Sequence, residues 1–272
     1  MRSAQLLRAA TTVAALSLGL NLGCSNDAAG PGAQYAGGWS GSTSQGRPVH
    51  FLVTDGAIVV TVVSFQVVGA VCTDDVLLAI GRDPSQTAFV LSGNALAVTS
   101  TGGGGSVSLT GTLDGATASG ALSITAVACQ GSGDFTWTAQ KATGAEADVG
   151  GSWDATFSSN LVSPTPGLLI LSQSGTNVTG SYSVATGAQG TVSATVSGRM
   201  ATVRLSQTTP GCTGQFNGYA TLLPSVEALL YFYAGQDCLG THTGGFGLGN
   251  RVVVHAGIDV PSAARPRIVV DR

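Results

Sequence analysis

Charge is scarce in this chain of 272 residues: Asp, Glu, Lys and Arg together make up 9% of it. Lys141 is the single lysine, and Glu146 and Glu227 are the only glutamates. Phosphate binding requires clustered Lys and Arg. Basic residues such as Arg199 and Arg204 stand singly and the formal net charge is −3, so nucleic acid is excluded as a partner. Histidine is equally sparse, with only His50, His242 and His255 to serve as bases. Nucleophilic catalysis needs a base beside the nucleophile, and no G-x-S-x-G elbow accompanies these three. Room for long helices is missing too. Beyond Cys24 the longest stretches free of Gly and Pro are Ala57 to Val68 and Ser152 to Ser163, and Gly and Pro interrupt helices.

What remains is glycine, with 40 residues, and segments in which apolar residues alternate with Ser and Thr. Phe135-Thr136-Trp137-Thr138-Ala139 and Thr191 to Ser197 show the period of two that places one face of a strand in a core. The pattern predicts an all-β protein of two tandem antiparallel domains, each a barrel or a sandwich. Gly37-Gly38-Trp39 opens one copy of the plan and Gly151-Ser152-Trp153 opens the next. In the second copy the alternation predicts eight strands: Trp153 to Ser158, Leu168 to Ser174, Asn177 to Val184, Thr191 to Ser197, Met200 to Ser206, Gln215 to Leu222, Glu227 to Ala234 and His242 to Leu248. Eight short strands joined by tight turns make an up-and-down meander barrel. The expected layout is a signal peptide over 1–23, a tether over 24–36, β domain 1 over 37–141, a linker over 142–149, β domain 2 over 150–250 and a tail over 251–272. The first copy carries a nearly continuous apolar strand at Ala57 to Val67 and a loop at Thr73-Asp74-Asp75, which leaves barrel and sandwich both open for it.

The amino terminus has the three-part form of a secretory leader: Arg2 and Arg8, an uncharged stretch from Ala9 to Leu20, then Asn21-Leu22-Gly23-Cys24. The stretch is too short to remain as a membrane span. Its end resembles the lipobox of bacterial lipoproteins, although Asn21 and Leu22 stand where an aliphatic and a small residue are usual. The resemblance implies diacylglycerol on Cys24, a membrane partner reached through that lipid, and a place in the bacterial cell envelope at the outer membrane. The alternative is an ordinary leader cut near Ala28-Ala29. With Cys24 set aside, Cys72, Cys129, Cys212 and Cys238 form an even set, and exported proteins use such sets as disulfides. Sequence halves favour Cys72 with Cys129 and Cys212 with Cys238. No pair has zinc-ligand spacing, so no metal is expected.

The G-x-W heading a strand meander resembles the lipocalin and wider calycin barrels. That resemblance implies a tryptophan closing the barrel floor and, in some members, a small hydrophobic ligand inside. Apart from it, candidate chemistry is thin. His50 lies opposite Val49, Phe51 and Val53 and reads as a solvent-side strand residue; His242 sits where a turn meets the last strand and has no predictable carboxylate partner. Asp74, Asp75 and Asp83 read as a solvated loop, Gly102 to Gly105 as a hairpin loop, and Asn177-Val178-Thr179 as an unused glycosylation acceptor. Core packing accounts for Trp39, Trp137, Trp153, Tyr231, Phe232 and Tyr233. No catalytic machinery and no cofactor is expected.

Three functions are open. The first is a non-enzymatic envelope protein that binds another protein or a glycan or forms a surface layer. The second is a carrier of a small hydrophobic ligand, which a lined cavity within 151–250 would favour. The third is an envelope hydrolase, which requires His242 or His50 to meet both a carboxylate and a hydroxyl. Feeding an alkyne palmitate analogue to bacteria that express the full chain should mark the native protein and leave Cys24→Ala unmarked. Equal marking of the two would remove the anchor.

Overall fold

The computed structural model describes residues 32–70, 73–102, 105–125, 131–224, 227–252 and 267–271. Among them the one helical turn is a 3-10 turn at Ala33–Tyr35; the rest is strand and connection. The leader, Cys24, His255 and the pair Cys72 and Cys129 lie outside the described residues.

The first domain contains β1 (Gly37–Thr43), β2 (Pro48–Thr54), β3 (Ala57–Val68), β4 (Thr73–Gly81), β5 (Phe89–Val90), β6 (Ala95–Gly102), β7 (Gly105–Asp114), β8 (Thr117–Thr125) and β9 (Gly133–Lys141). Hydrogen bonding runs in the order β4-β3-β2-β1-β9-β8-β7-β6, so the sheet curls nearly into a barrel whose seam lies between β4 and β6. The short β5 pairs with the Ala57 end of β3. The second domain contains β10 (Gly151–Ser158), β11 (Thr165–Ser174), β12 (Asn177–Val184), β13 (Gln189–Ser197), β14 (Met200–Thr209), β15 (Cys212–Leu222), β16 (Ala228–Asp237) and β17 (Gly240–Arg251). These close into an eight-stranded antiparallel barrel by pairing of β10 with β17. A last strand, β18 (Arg267–Asp271), returns to the first domain and pairs with β4 in parallel, Arg267 opposite Val76 and Asp271 opposite Ile80. It extends the open side of the first sheet.

The two domains repeat one lock. Gly37 and Gly151 take φ of 125° and 120°, a region that favours glycine, and each leads to a tryptophan with no exposed surface, Trp39 and Trp153. The Trp39 indole N–H donates to the carbonyl of Tyr35 at 2.9 Å, and that of Trp153 to the carbonyl of Val149 at 3.0 Å, in both cases four residues upstream. Opposite each tryptophan in the register stands a cation at the end of the domain's last long strand, Lys141 for Trp39 and Arg251 for Trp153. The Lys141 ammonium donates to the Gln34 carbonyl at 2.8 Å. The Arg251 guanidinium lies 4.6 Å from the Trp153 ring centroid and donates to the carbonyls of Gly150 and Asp148. Buried indole N–H groups need an acceptor, and this lock supplies one while sealing one end of each domain. Over that end of the barrel, residues 142–149 are anything but free. Ala147 and Val149 pack into the barrel core, and the Gly198 carbonyl accepts from the N–H groups of Glu146 and Ala147.

Two separate cores fill the domains, and a third joins them. Leu52, Val59, Val60, Val62, Leu77 and Ala79 on the outer face of the first sheet pack against Met200, Leu223, Ala228, Leu230 and Phe232 on the outside of the barrel. This contact explains the unbroken apolar run of β3. Val63, Phe65 and Val67 face the first core, whereas Val60 and Val62 face the barrel, and a register shift at Leu52/Val53 turns Ile58 back inward. Strand β16 does the same from the other side, with Tyr231 and Tyr233 inward and Leu230 and Phe232 outward. Gly81 makes room for the contact, because an added Cβ would come within 2.0 Å of the Phe232 ring.

The interface corrects two sequence expectations. His50 does not face solvent: it is 6% exposed, on the same side of β2 as Leu52, because the barrel covers the face that alternation left as the outer one. Its Nδ1 is buried without a partner among the described residues, and burial, with the charge of Arg199 adding to it, lowers its pKa to about 4. The Asp74, Asp75 and Asp83 loop is also different. Asp74 and Asp75 belong to β4, where Asp75 pairs with Arg47 at 2.7 Å on the surface. Asp83 is buried, accepts from the Ser85 N–H and hydroxyl, and reaches across to the Gly244 N–H of the barrel at 3.0 Å.

The Cys212 to Cys238 pairing is present and ties the start of β15 to the turn after β16. Closing a loop of this length, 26 residues in separation, stabilises by about 3 kcal/mol through the unfolded chain's entropy. The double variant Cys212→Ser, Cys238→Ser should lose that much in urea unfolding under non-reducing conditions, and an unchanged midpoint would count against the bond's contribution. The His50 pKa has its own signature. The unfolded imidazole titrates near 6.5 and the folded one near 4, so between those values the unfolded state binds a proton that the folded state refuses. Stability that is complete above pH 6.5 is therefore lost as pH falls through this window, by on the order of 3 kcal/mol. Urea midpoints taken at neutral pH and at pH about 4.5 should show this acid loss in the native chain and a smaller one in His50→Gln.

Candidate functional site

The barrel is closed at the Trp153 end and open at the other, where β10 and β12 end and the turns after β14 and β16 gather. Here lies an apolar cavity of about 300 Å³. Phe157, Tyr182, Phe216 and Tyr233 project into it from β10, β12, β15 and β16. Ring contacts hold these walls in place: Phe157 lies 5.9 Å from Tyr182 and Phe216 lies edge-on to Tyr233 at 6.0 Å. Tyr233 donates its hydroxyl to the Ser158 carbonyl at 2.9 Å, and neighbouring Tyr231 donates to the Thr156 carbonyl at 2.7 Å. The Tyr182 hydroxyl has no protein partner among the described residues and remains available in the cavity. Burial, with the charge of Asp237 adding to it, raises the Tyr182 pKa to about 12. Tyr233 is raised as well, first by burial and then by Tyr182. Both therefore stay protonated donors at neutral pH.

One side of the cavity is polar. Gln207, Asp237 and His242 line it beside the Cys212 to Cys238 disulfide. His242 and Asp237 face each other across the β16–β17 hairpin, with 2.9 Å between Nε2 and the carboxylate Oδ1 and both side chains 4% exposed. On the other side of the ring, Nδ1 lies 2.9 Å from the hydroxyl of Ser159. Because a carboxylate only accepts, Nε2 carries the proton toward Asp237, and Nδ1 is left to accept from the Ser159 O–H. Ser159 Oγ accepts in turn from the Leu161 N–H at 3.2 Å. Burial pushes the Asp237 carboxyl up. The hydrogen bonds from His242, the Leu239 N–H and Gln207, with the His242 charge, outweigh it and hold the carboxyl below its usual range. The Phe216 ring stands edge-on to the imidazole at 5.2 Å and fixes its plane.

The structure thus supplies His242 with the carboxylate and hydroxyl that sequence could not assign. Neither partner belongs to a motif, and Ser159 lies 83 residues from His242. The signal that could have found it was the predicted eight-strand meander itself, since closing such a barrel sets the end of its first strand beside the start of its last. Asn160 confirms the join: its side chain accepts from the Thr243 N–H at 2.8 Å and donates to the Thr241 carbonyl at 3.2 Å. His50 is not part of this site and lies in the domain interface. Sulfur and carboxylate atoms of Cys212, Asp237 and Cys238 cluster within 4.8 Å, but the two sulfurs are spent on each other in the disulfide and offer no thiolate to a metal.

No family model matches the chain, and no curated protein matches it in sequence. Among solved structures it is similar to a protein of unknown function from the DUF3598 family of Nostoc punctiforme, at 12% identity over 80% of this chain and 97% of that one, with a TM-score of 0.27. It is also similar to kievitone hydratase from Nectria haematococca, at 11% identity over 82% of this chain and 91% of that one, with a TM-score of 0.22. Likeness this distant assigns no role to any residue of the site.

Proposed function

We propose that the chain is an exported, lipid-anchored binding protein whose second barrel takes up a small, largely apolar ligand carrying one hydrogen-bonding group. The observation that carries this reading is the aromatic cavity at the open barrel end, mostly apolar in its lining with a few polar side chains among its walls. Binding sites for small molecules combine apolar walls with a few placed polar groups in this way. Phe157, Phe216 and Tyr233 supply ring surface, and the free Tyr182 hydroxyl, with the Asp237 carboxylate on another wall, supplies orientation. A volume of about 300 Å³ sets the scale to a molecule of one or two rings or a short chain. The address rests on the leader and Cys24, which would hold the barrels at the bacterial outer membrane through lipid and an N-terminal tether. An envelope protein or a glycan as partner would use the outer surfaces instead; no specific observation favours either.

Val184 is half-buried at the cavity rim, so Val184→Trp should fill the mouth without opening the core. The probe N-phenyl-1-naphthylamine should fluoresce on binding the native protein and lose at least tenfold in affinity for the variant. Equal binding by both proteins, or none by the native one, would remove the carrier reading.

A further inference from the structure

Ser159 does not line the apolar cavity. It follows the last residue of β10 and lies on the far side of His242 from Asp237. There it is half-exposed and lines a second, smaller surface pocket of about 270 Å³ with Asn160, Pro164 and Gly244, separated from the apolar cavity by Val162, which borders both. A hydrogen-bonded pair of imidazole and carboxylate, a fixed ring plane and a hydroxyl at 2.9 Å from the accepting ring nitrogen make up the set of groups that activates an alcohol. Either ring nitrogen can act as the base once the other's N–H is held by a carboxylate.

We propose that Ser159, His242 and Asp237 act as nucleophile, general base and positioning carboxylate toward small esters entering the pocket beside the barrel mouth. Ser159 Oγ bonds to the ester carbonyl carbon while its proton passes to His242 Nδ1. The C–O bond to the alcohol breaks, and the departing oxygen takes that proton. Water then gives a proton to His242 as its oxygen attacks the acyl-serine, and a carboxylic acid leaves as Ser159 regains its hydrogen. No co-reactant other than water is needed. Asp237 touches no substrate; it holds the ring and balances the charge that His242 gains.

The surroundings also set the rate. The N–H groups of Asn160, Leu161 and Val162 nearest the serine are engaged by the Thr243 carbonyl, Ser159 Oγ and the Ser159 carbonyl. They are not free to receive the developing oxyanion, and each missing donor costs about 10²- to 10³-fold. The chemistry is accordingly slow, strongest with activated esters, and best read by covalent labelling. This goes beyond the carrier reading and does not require the cavity to be filled.

The test treats the full chain with a fluorescent fluorophosphonate and maps the adduct by mass spectrometry. The result expected is one adduct, on Ser159, lost in Ser159→Ala and formed at least tenfold more slowly in His242→Gln, with slow release of p-nitrophenol from p-nitrophenyl butyrate following the same order. For Asp237→Asn, the titratable neighbour of His242 across the hairpin becomes neutral, so labelling should slow and its pH midpoint should fall, which a merely structural role would not produce. Ser159→Cys should alkylate with iodoacetamide faster than the same variant combined with His242→Gln. Equal labelling of native protein and Ser159→Ala, or equal rates with and without His242, would overturn the proposal. Probe binding measured on Ser159→Ala separates the two readings: binding without native labelling sinks the reactive serine alone, and labelling without binding sinks the carrier alone.

Discussion

The antiparallel pairing of β10 with β17 is the constraint on which the functional end of the molecule depends. It joins the first and last strands of a meander whose other contacts are all between neighbours in sequence. Without it, Ser159 and His242 belong to opposite ends of an open sheet. With it, the loop after β10 is clamped by Asn160 onto Thr241 and Thr243, and an imidazole finds two partners in hydrogen-bond range. Closure also removes two exposed strand edges from a domain that has few charges with which to guard them.

A second constraint is that the barrel has to hide an apolar stripe on its outside as well as its inside. Leu230 and Phe232 would face water if the barrel stood alone, and so would Val60 and Val62 of the first sheet. Each domain answers the other's need, with Gly81 kept bare to admit the Phe232 ring. Large rings buried at such a contact contribute about 2 kcal/mol or more each, so the interface is a structural core and not a transient touch. It sits on β2, β3 and β4 on one side and β14, β16 and the segment after β15 on the other.

How much of this could be read from the residues follows from what alternation reports. It reports faces, and where one face meets a core and the other meets water it locates strands well: Asn177–Val184 has the same bounds in sequence and structure, and the eight-strand meander closes as expected. The unbroken run at β3 is visible as a strand, yet its two-sided burial is not, because nothing in a single strand says what lies over its outer face. The burial of His50 is hidden from the sequence for the same reason. The Cys212 to Cys238 pairing followed from sequence position within one domain. Asp237 could not be singled out among the scattered Asp, and Ser159 only by closing the expected meander onto its last strand, since their chemistry arises from the turn and closure geometry around His242. The G-x-W repeat was legible, but the cation completing each lock was not: Lys141 and Arg251 differ in type and belong to no motif, and only the register shows that they hold corresponding places.

The return of β18 to the edge of β4 has a consequence for biogenesis. A chain emerging amino terminus first, from a ribosome or through a translocation channel, presents β4 long before its parallel partner exists. During that interval the side of β4 away from β3 lacks this partner, and it receives its companion only after residues 267–271 have been made. The amino-terminal half therefore matures last in one respect, after the barrel that follows it in sequence has had all of its strands made.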